Sequence, residues 1–126
     1  MTKKEVESFL KLQPQAQSAY EEISILSKKK PDDPVNKFKL KFINDMLSIA
    51  NELLGDSLKP FPESFELFDD DDLPTNSDVV FMLVHYLECL EKLRCQNVMY
   101  WNYEYYWIIN SKRSGIETSK PTKEMT

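Results

Sequence analysis

The sequence predicts an all-α fold: a small bundle of four to five helices, with a long acidic, Phe-containing connection before a long C-terminal helix or helix pair. Three observations predict it. Glycine occurs only twice in 126 residues, at Gly55 and Gly115, whereas sheet turns draw heavily on glycine. Apolar residues recur at three- and four-residue spacing through several segments. From Asp78 to Ile109 neither Gly nor Pro interrupts the chain.

The first element opens at Thr2-Lys3-Lys4-Glu5, a capping-box pattern with Thr2 as N-cap. A helix from about Lys3 to Leu12 presents Val6, Phe9 and Leu10. Pro14 either kinks it or opens a second helix, in which Ala16, Tyr20, Ile23 and Leu26 keep helical spacing to about Ser27. Lys28, Lys29 and Lys30 suit the negative end of its dipole.

Pro31-Asp32-Asp33-Pro34 is a turn, with Asp33 as N-cap and Pro34 in the first turn of the next helix. That helix runs to Leu54. Ile43, Met46, Leu47, Ala50, Leu53 and Leu54 form its apolar stripe, which Phe38, Phe42 and Ile49 widen. Gly55 ends it by taking a positive φ.

Residues 56–76 are a long connection with Pro60, Pro62 and Pro74, and with Phe61, Phe65 and Phe68 to hold it on the bundle. Between Asp56 and Asp78 there are eight acidic residues and one base, Lys59. Thr75, Asn76 or Ser77 caps a helix that reaches Ile109 as one piece or breaks near Cys95 to Asn97. Residues 1–111 form a single helical domain. Residues 112–126, polar and without much apolar surface, read as a flexible tail dispensable for folding.

Composition narrows the function. Hydrophobic residues make up 41% and charged residues 29%, which excludes disorder of the whole chain. The net charge of −5 opposes non-specific contact with phosphate backbones, so no direct nucleic-acid binding is expected. No apolar run reaches membrane-spanning length, and no secretory leader pattern is visible, so no membrane contact and a cytoplasmic location are expected. Cys89 and Cys95 lie six residues apart on one helix, too far to bridge within it, and read as reduced thiols.

No catalytic, cofactor-binding or metal-binding residue and no cofactor is expected. His85 is the only histidine, with Glu88 three and Cys89 four residues on. Zinc would need more ligands than that turn supplies. His85 shares its helix with Arg94, but in the reverse order from small helical nucleases. The run Asp69-Asp70-Asp71-Asp72 lacks the alternating ligands and glycine of a calcium loop. It reads as a solvated loop or as a docking surface.

The most unusual segment is Met99 to Trp107, in which six of nine residues are aromatic. Read as helix, it carries two stripes, one through Trp101 and Tyr105, the other through Tyr100, Tyr103 and Trp107. One neighbouring helix cannot cover both, and Tyr and Trp are common at interfaces. The expected function is a protein–protein interaction module: a subunit, adaptor or inhibitor, bound to a protein partner or a second copy. Its partner-binding residues are Tyr100, Tyr103, Trp107, Asp69, Asp70, Asp71 and Asp72. Two alternatives compete: a small helical hydrolase or nuclease using His85 with nearby carboxylates, and an acidic nucleic-acid mimic that inhibits a DNA- or RNA-binding protein.

Overall fold

The computed structural model describes residues 1–123. Its order is α1 (Lys3–Lys29), α2 (Lys37–Leu58), α3 (Asn76–Cys95), β1 (Val98–Trp101), β2 (Glu104–Ile109) and β3 (Lys112–Thr118). Three helices and one antiparallel sheet of order β1-β2-β3 make an α+β fold, not the expected all-α bundle.

The expected cap at Thr2 forms, with Glu5 closing the box. Pro14 does not divide α1; the helix continues through it to Lys29. The turn from Pro31 to Asn36 docks on the start of α3: Val35 N–H donates to the Pro74 carbonyl and Asn76 N–H to the Asp33 carbonyl. The cap of α2 is Asn36, whose side chain accepts from Lys39 N–H, so the helix opens three residues later than the prolines suggest. Gly55 takes φ 65°, breaks the helical path, and leaves one further turn to Leu58. Thr75 and Asp78 form a second capping box at α3.

Beyond Cys95 the helix stops, and this overturns the long C-terminal helix. The aromatic run is a hairpin: Val98 pairs with Trp107 and Trp101 with Glu104 across a two-residue turn at Asn102-Tyr103. Aromatic and β-branched side chains fit a pleated, half-buried surface. The turn places Asn102 at φ 49° and Tyr103 at φ 68°, the pattern that matches strand twist and that Asn-Gly most readily adopts. A second such turn, Asn110-Ser111, leads into β3. Residues 112–118, expected in a flexible tail, are therefore an edge strand; the last three residues of that tail, 124–126, lie outside the described residues.

The core joins every helix to the sheet. Val6, Phe9, Leu12 and Ile23 of α1 meet Leu40, Ile43, Leu47 and Leu54 of α2, and Val79, Leu83, Tyr86 and Leu90 of α3. Val98 and Trp107 close it from the sheet, with Trp107 edge-on to Phe9 at 4.9 Å between centroids. The long connection lies along α2, where Asn44 bonds both the N–H and the carbonyl of Phe68, and Asn51 donates to the Glu66 carbonyl. Tyr86 of α3 donates to the Asn51 side-chain oxygen beneath it. Among the described residues no helix is long and apolar enough to cross a membrane.

Candidate functional site

Strand alternation divides the aromatics between two faces. Val98, Tyr105, Trp107, Ile109 and Ile116 point toward the helices. Met99, Trp101, Tyr106, Ile108 and Arg113 occupy the opposite face, and none of them belongs to the core or packs against it. Trp101 and Tyr106 stand edge to face at 6.2 Å, and the Arg113 guanidinium lies 3.9 Å from the Trp101 ring centroid. That cation–π contact and the Tyr106 ring partly cover the indole, which stays about half exposed. Glu104 and Glu117 border this face, so it is nearly neutral.

The hairpin tip carries the third element. Tyr103 is 86% exposed, in a left-handed backbone conformation that a bulky L-residue adopts at a cost. Tyr100 stacks across the hairpin on Tyr105 at 5.1 Å and remains half exposed. Of the residues expected to contact a partner, Tyr100 and Tyr103 are thus on the surface. Trp107 is not: it is 0% exposed and belongs to the core, because period-two alternation sends it inward where a helix would have placed it beside Tyr103. Trp101 and Tyr106, credited to the other stripe or to none, are the outward-facing aromatics.

The acidic run Asp69 to Asp72 is exposed and lies at the end of the connection that Asn44 anchors. The Asp69 carboxylate accepts from Asp71 N–H, and the carboxylates of Asp69, Asp70 and Asp71 lie within 4.8 Å of one another. Asp70 shares a groove with Lys37 and Lys41 of α2, and no hairpin residue lines that groove.

His85 is half-buried, its ring against Phe81 and Phe61 at 4.4 and 5.3 Å. Its Nδ1–H donates to the Phe81 carbonyl. Glu88 bonds Lys123 at 2.8 Å, which holds its carboxyl below the usual range. No hydrogen bond joins His85 to a carboxylate among the described residues, so the pairing required by the hydrolase alternative gains no support from the geometry. Burial raises the Cys89 thiol above its ordinary value, which disfavours the reactive thiolate.

A cleft of about 560 Å³ runs between α1 and α3 beneath residues 118–123. Arg94 organises its wall. Only 7% exposed, it gives Nε–H and one Nη2–H to the Glu91 carboxylate and Nη1–H groups to Thr118 Oγ1 and the Ser119 carbonyl. A long contact to the Lys120 carbonyl takes its last donor. Burial pushes the Glu91 carboxyl up, but bonds from Arg94 and from Thr122 outweigh it and hold the pKa at about 2. These charges are engaged with one another and tie the C-terminal segment to α3. The sequence signalled none of this, since Glu91 and Arg94 look like any exposed i, i+3 helix pair.

Comparison with protein-family models, with curated proteins and with solved structures finds no match.

Proposed function

We propose that the protein works by binding another protein, through the outward face of its sheet and the hairpin tip, as a subunit, adaptor or inhibitor of a larger assembly. The carrying observation is the outward face itself: Trp101 exposed, with Tyr106, Met99 and Ile108 half-buried beside it, on a sheet whose other side packs on the helices. Contiguous apolar surface of this kind marks interaction sites. Tyr103 supports the same reading. A fully displayed aromatic in a strained backbone contributes nothing to folding, and strain of that kind collects at working positions. The nearly neutral, aromatic surface, with a single arginine, suits a protein partner better than a nucleic-acid backbone. Two free thiols are in keeping with a reducing compartment such as the cytoplasm.

The test is affinity purification from native cells with quantitative mass spectrometry, comparing the intact surface with the Trp101→Ser, Tyr103→Ser double variant. Both residues are exposed, so the variant keeps its thermal melt. A stoichiometric companion captured by the wild type and lost from the variant is the expected outcome. A companion retained equally by both places binding elsewhere.

A further inference from the structure

Helix α2 is apolar on two opposite sides. Leu40, Leu47 and Leu54 face the core. Phe38, Phe42 and Ile49, at i, i+4 and i+11, lie about 180° around the helix from them. Phe38 is 72% exposed, and Phe42 and Ile49 are exposed as well. Phe38 and Phe42 stack edge to face at 5.1 Å, so they form one continuous patch. α1 flanks the helix on one side, where Glu22 pairs with Lys39 at 2.7 Å. The Phe-rich connection flanks the other, bonded to Asn44 and Asn51. Nothing among the described residues covers the stripe between them.

The helix's own charges along this stripe are segregated. Lys37 and Lys41 accompany its N-terminal half, and Asp45 and Glu52 its C-terminal half, while Asp70 of the connection adds one carboxylate at the groove beside the lysines. None of the four belongs to an ion pair among the described residues. Such a pattern is self-complementary when two copies of the helix meet antiparallel. With a two-fold axis near Ile43, Lys41 of each copy meets Asp45 of the other. Phe42 then meets Phe42 of the second copy beside the axis, and Phe38 meets Ile49. A parallel pairing would instead set lysine on lysine and aspartate on aspartate. The i, i+4, i+7, i+11 spacing, with Asp45 at the third position, is that of a helix seam, and an isologous two-fold contact is the commonest symmetry of homo-oligomers.

We infer that the exposed stripe of α2 binds a second copy of this chain, in an antiparallel helix pair that leaves both sheet faces free. The proposal is independent of the partner surface on the sheet and stands or falls without it.

Sedimentation velocity over a concentration series of the full chain tests it, with thermal melts as the control for folding. The wild type is expected to self-associate reversibly. Phe38→Ser with Phe42→Ser abolishes association without loss of melting temperature. Lys41→Glu and Asp45→Lys each bring like charges together across the axis and weaken the dimer by about tenfold or more. Mixing those two variants restores it, because each chain then presents only one sign to the other. The rescue separates the contact between chains from the Lys41–Asp45 neighbourhood within one helix, which mixing leaves unchanged. A wild type that stays monomeric up to about 0.5 mM overturns the inference. So does a dimer that survives loss of both phenylalanines, or one that Trp101→Ser dissolves.

Discussion

Tyr103 and Glu91 show two ways in which a single residue departs from what folding alone requires. Tyr103 sits at φ 68° with its ring in solvent, so its side chain strains the turn and adds no packing. Glycine takes that conformation freely, and Asn-Gly is the favoured pair for this turn. Tyr103→Gly should therefore stabilise the protein by about 0.5–1 kcal/mol, read as a rise of roughly 2–5 °C in melting temperature, while weakening partner capture. An unchanged or lowered melting temperature would mean that the tyrosine supports the hairpin. Glu91 is the opposite case, a carboxylate held by the buried Arg94 guanidinium and by Thr122. Its folded pKa, about 2, lies below the ordinary value of 4.5. The folded state thus binds that proton less readily than the unfolded chain. The stability it contributes is present above about pH 4.5 and is lost as pH falls toward 2. Allowing for the solvent that reaches the site, the contribution is about 1–2 kcal/mol. Urea denaturation across that range should show this acid-side loss in the wild type. In Glu91→Gln the loss should be blunted, together with a cost of roughly 2–3 kcal/mol at neutral pH from the unpaired arginine. Identical pH profiles for the two proteins would show that another carboxylate governs the acid limb.

At the scale of elements, the presence of the helices was legible, but their number, the far end of α3 and the sheet were not. Thr2 with Glu5, Thr75 with Asp78 and Gly55 each mark a boundary by a mechanism that is local in sequence, and each acts where it is written. The run from Val98 to Ile109 resists that approach, because nearly every position is apolar or aromatic. A segment whose only polar positions are Asn102 and Glu104 fits a period of 3.6 and a period of 2 about equally well. The deciding marks were Asn102 and Asn110, since asparagine tolerates the left-handed conformation that both hairpin turns demand. Phe38, Phe42 and Ile49 were misplaced for a related reason: they fit a helix, but on the side of α2 away from the core. Ser111 then became the end of the folded domain, with a tail after it, when it is the second turn residue before β3. Truncation after Ser111 removes the strand paired with β2 and the Thr118, Ser119 and Lys120 acceptors of Arg94. It should abolish cooperative folding. Truncation after Thr118 keeps the strand and Thr118 Oγ1, and should cost only about 1–3 kcal/mol. Comparable melting temperatures for both fragments and the full chain would return the segment to the status of a tail.

Across the whole molecule, sheet and helices share one core through two buried side chains, Val98 and Trp107, with Tyr105, Ile109 and Ile116 packed against its edge. Trp107 is the larger, fully buried and edge-on to Phe9, while Arg94 fastens the end of β3 to α3 at the surface. Among the described residues the sheet has no second layer of its own, and three short strands are marginal without such docking. It follows that the sheet cannot melt separately from the helices. Thermal unfolding followed by far-UV circular dichroism, which reports the helices, should coincide with that followed by the fluorescence of Trp107 in a Trp101→Phe background. In that background the remaining indole should also resist an aqueous quencher until the transition begins. Trp107→Ala should cost about 3–5 kcal/mol, much of a total of roughly 5–15 kcal/mol, and lower the helical transition as well as the sheet's. A fluorescence change well below the helical transition would identify the sheet as a separable unit. The same holds for a Trp107→Ala variant whose helices melt at the wild-type temperature. Either would mean that Phe9 and its neighbours close their core without the sheet.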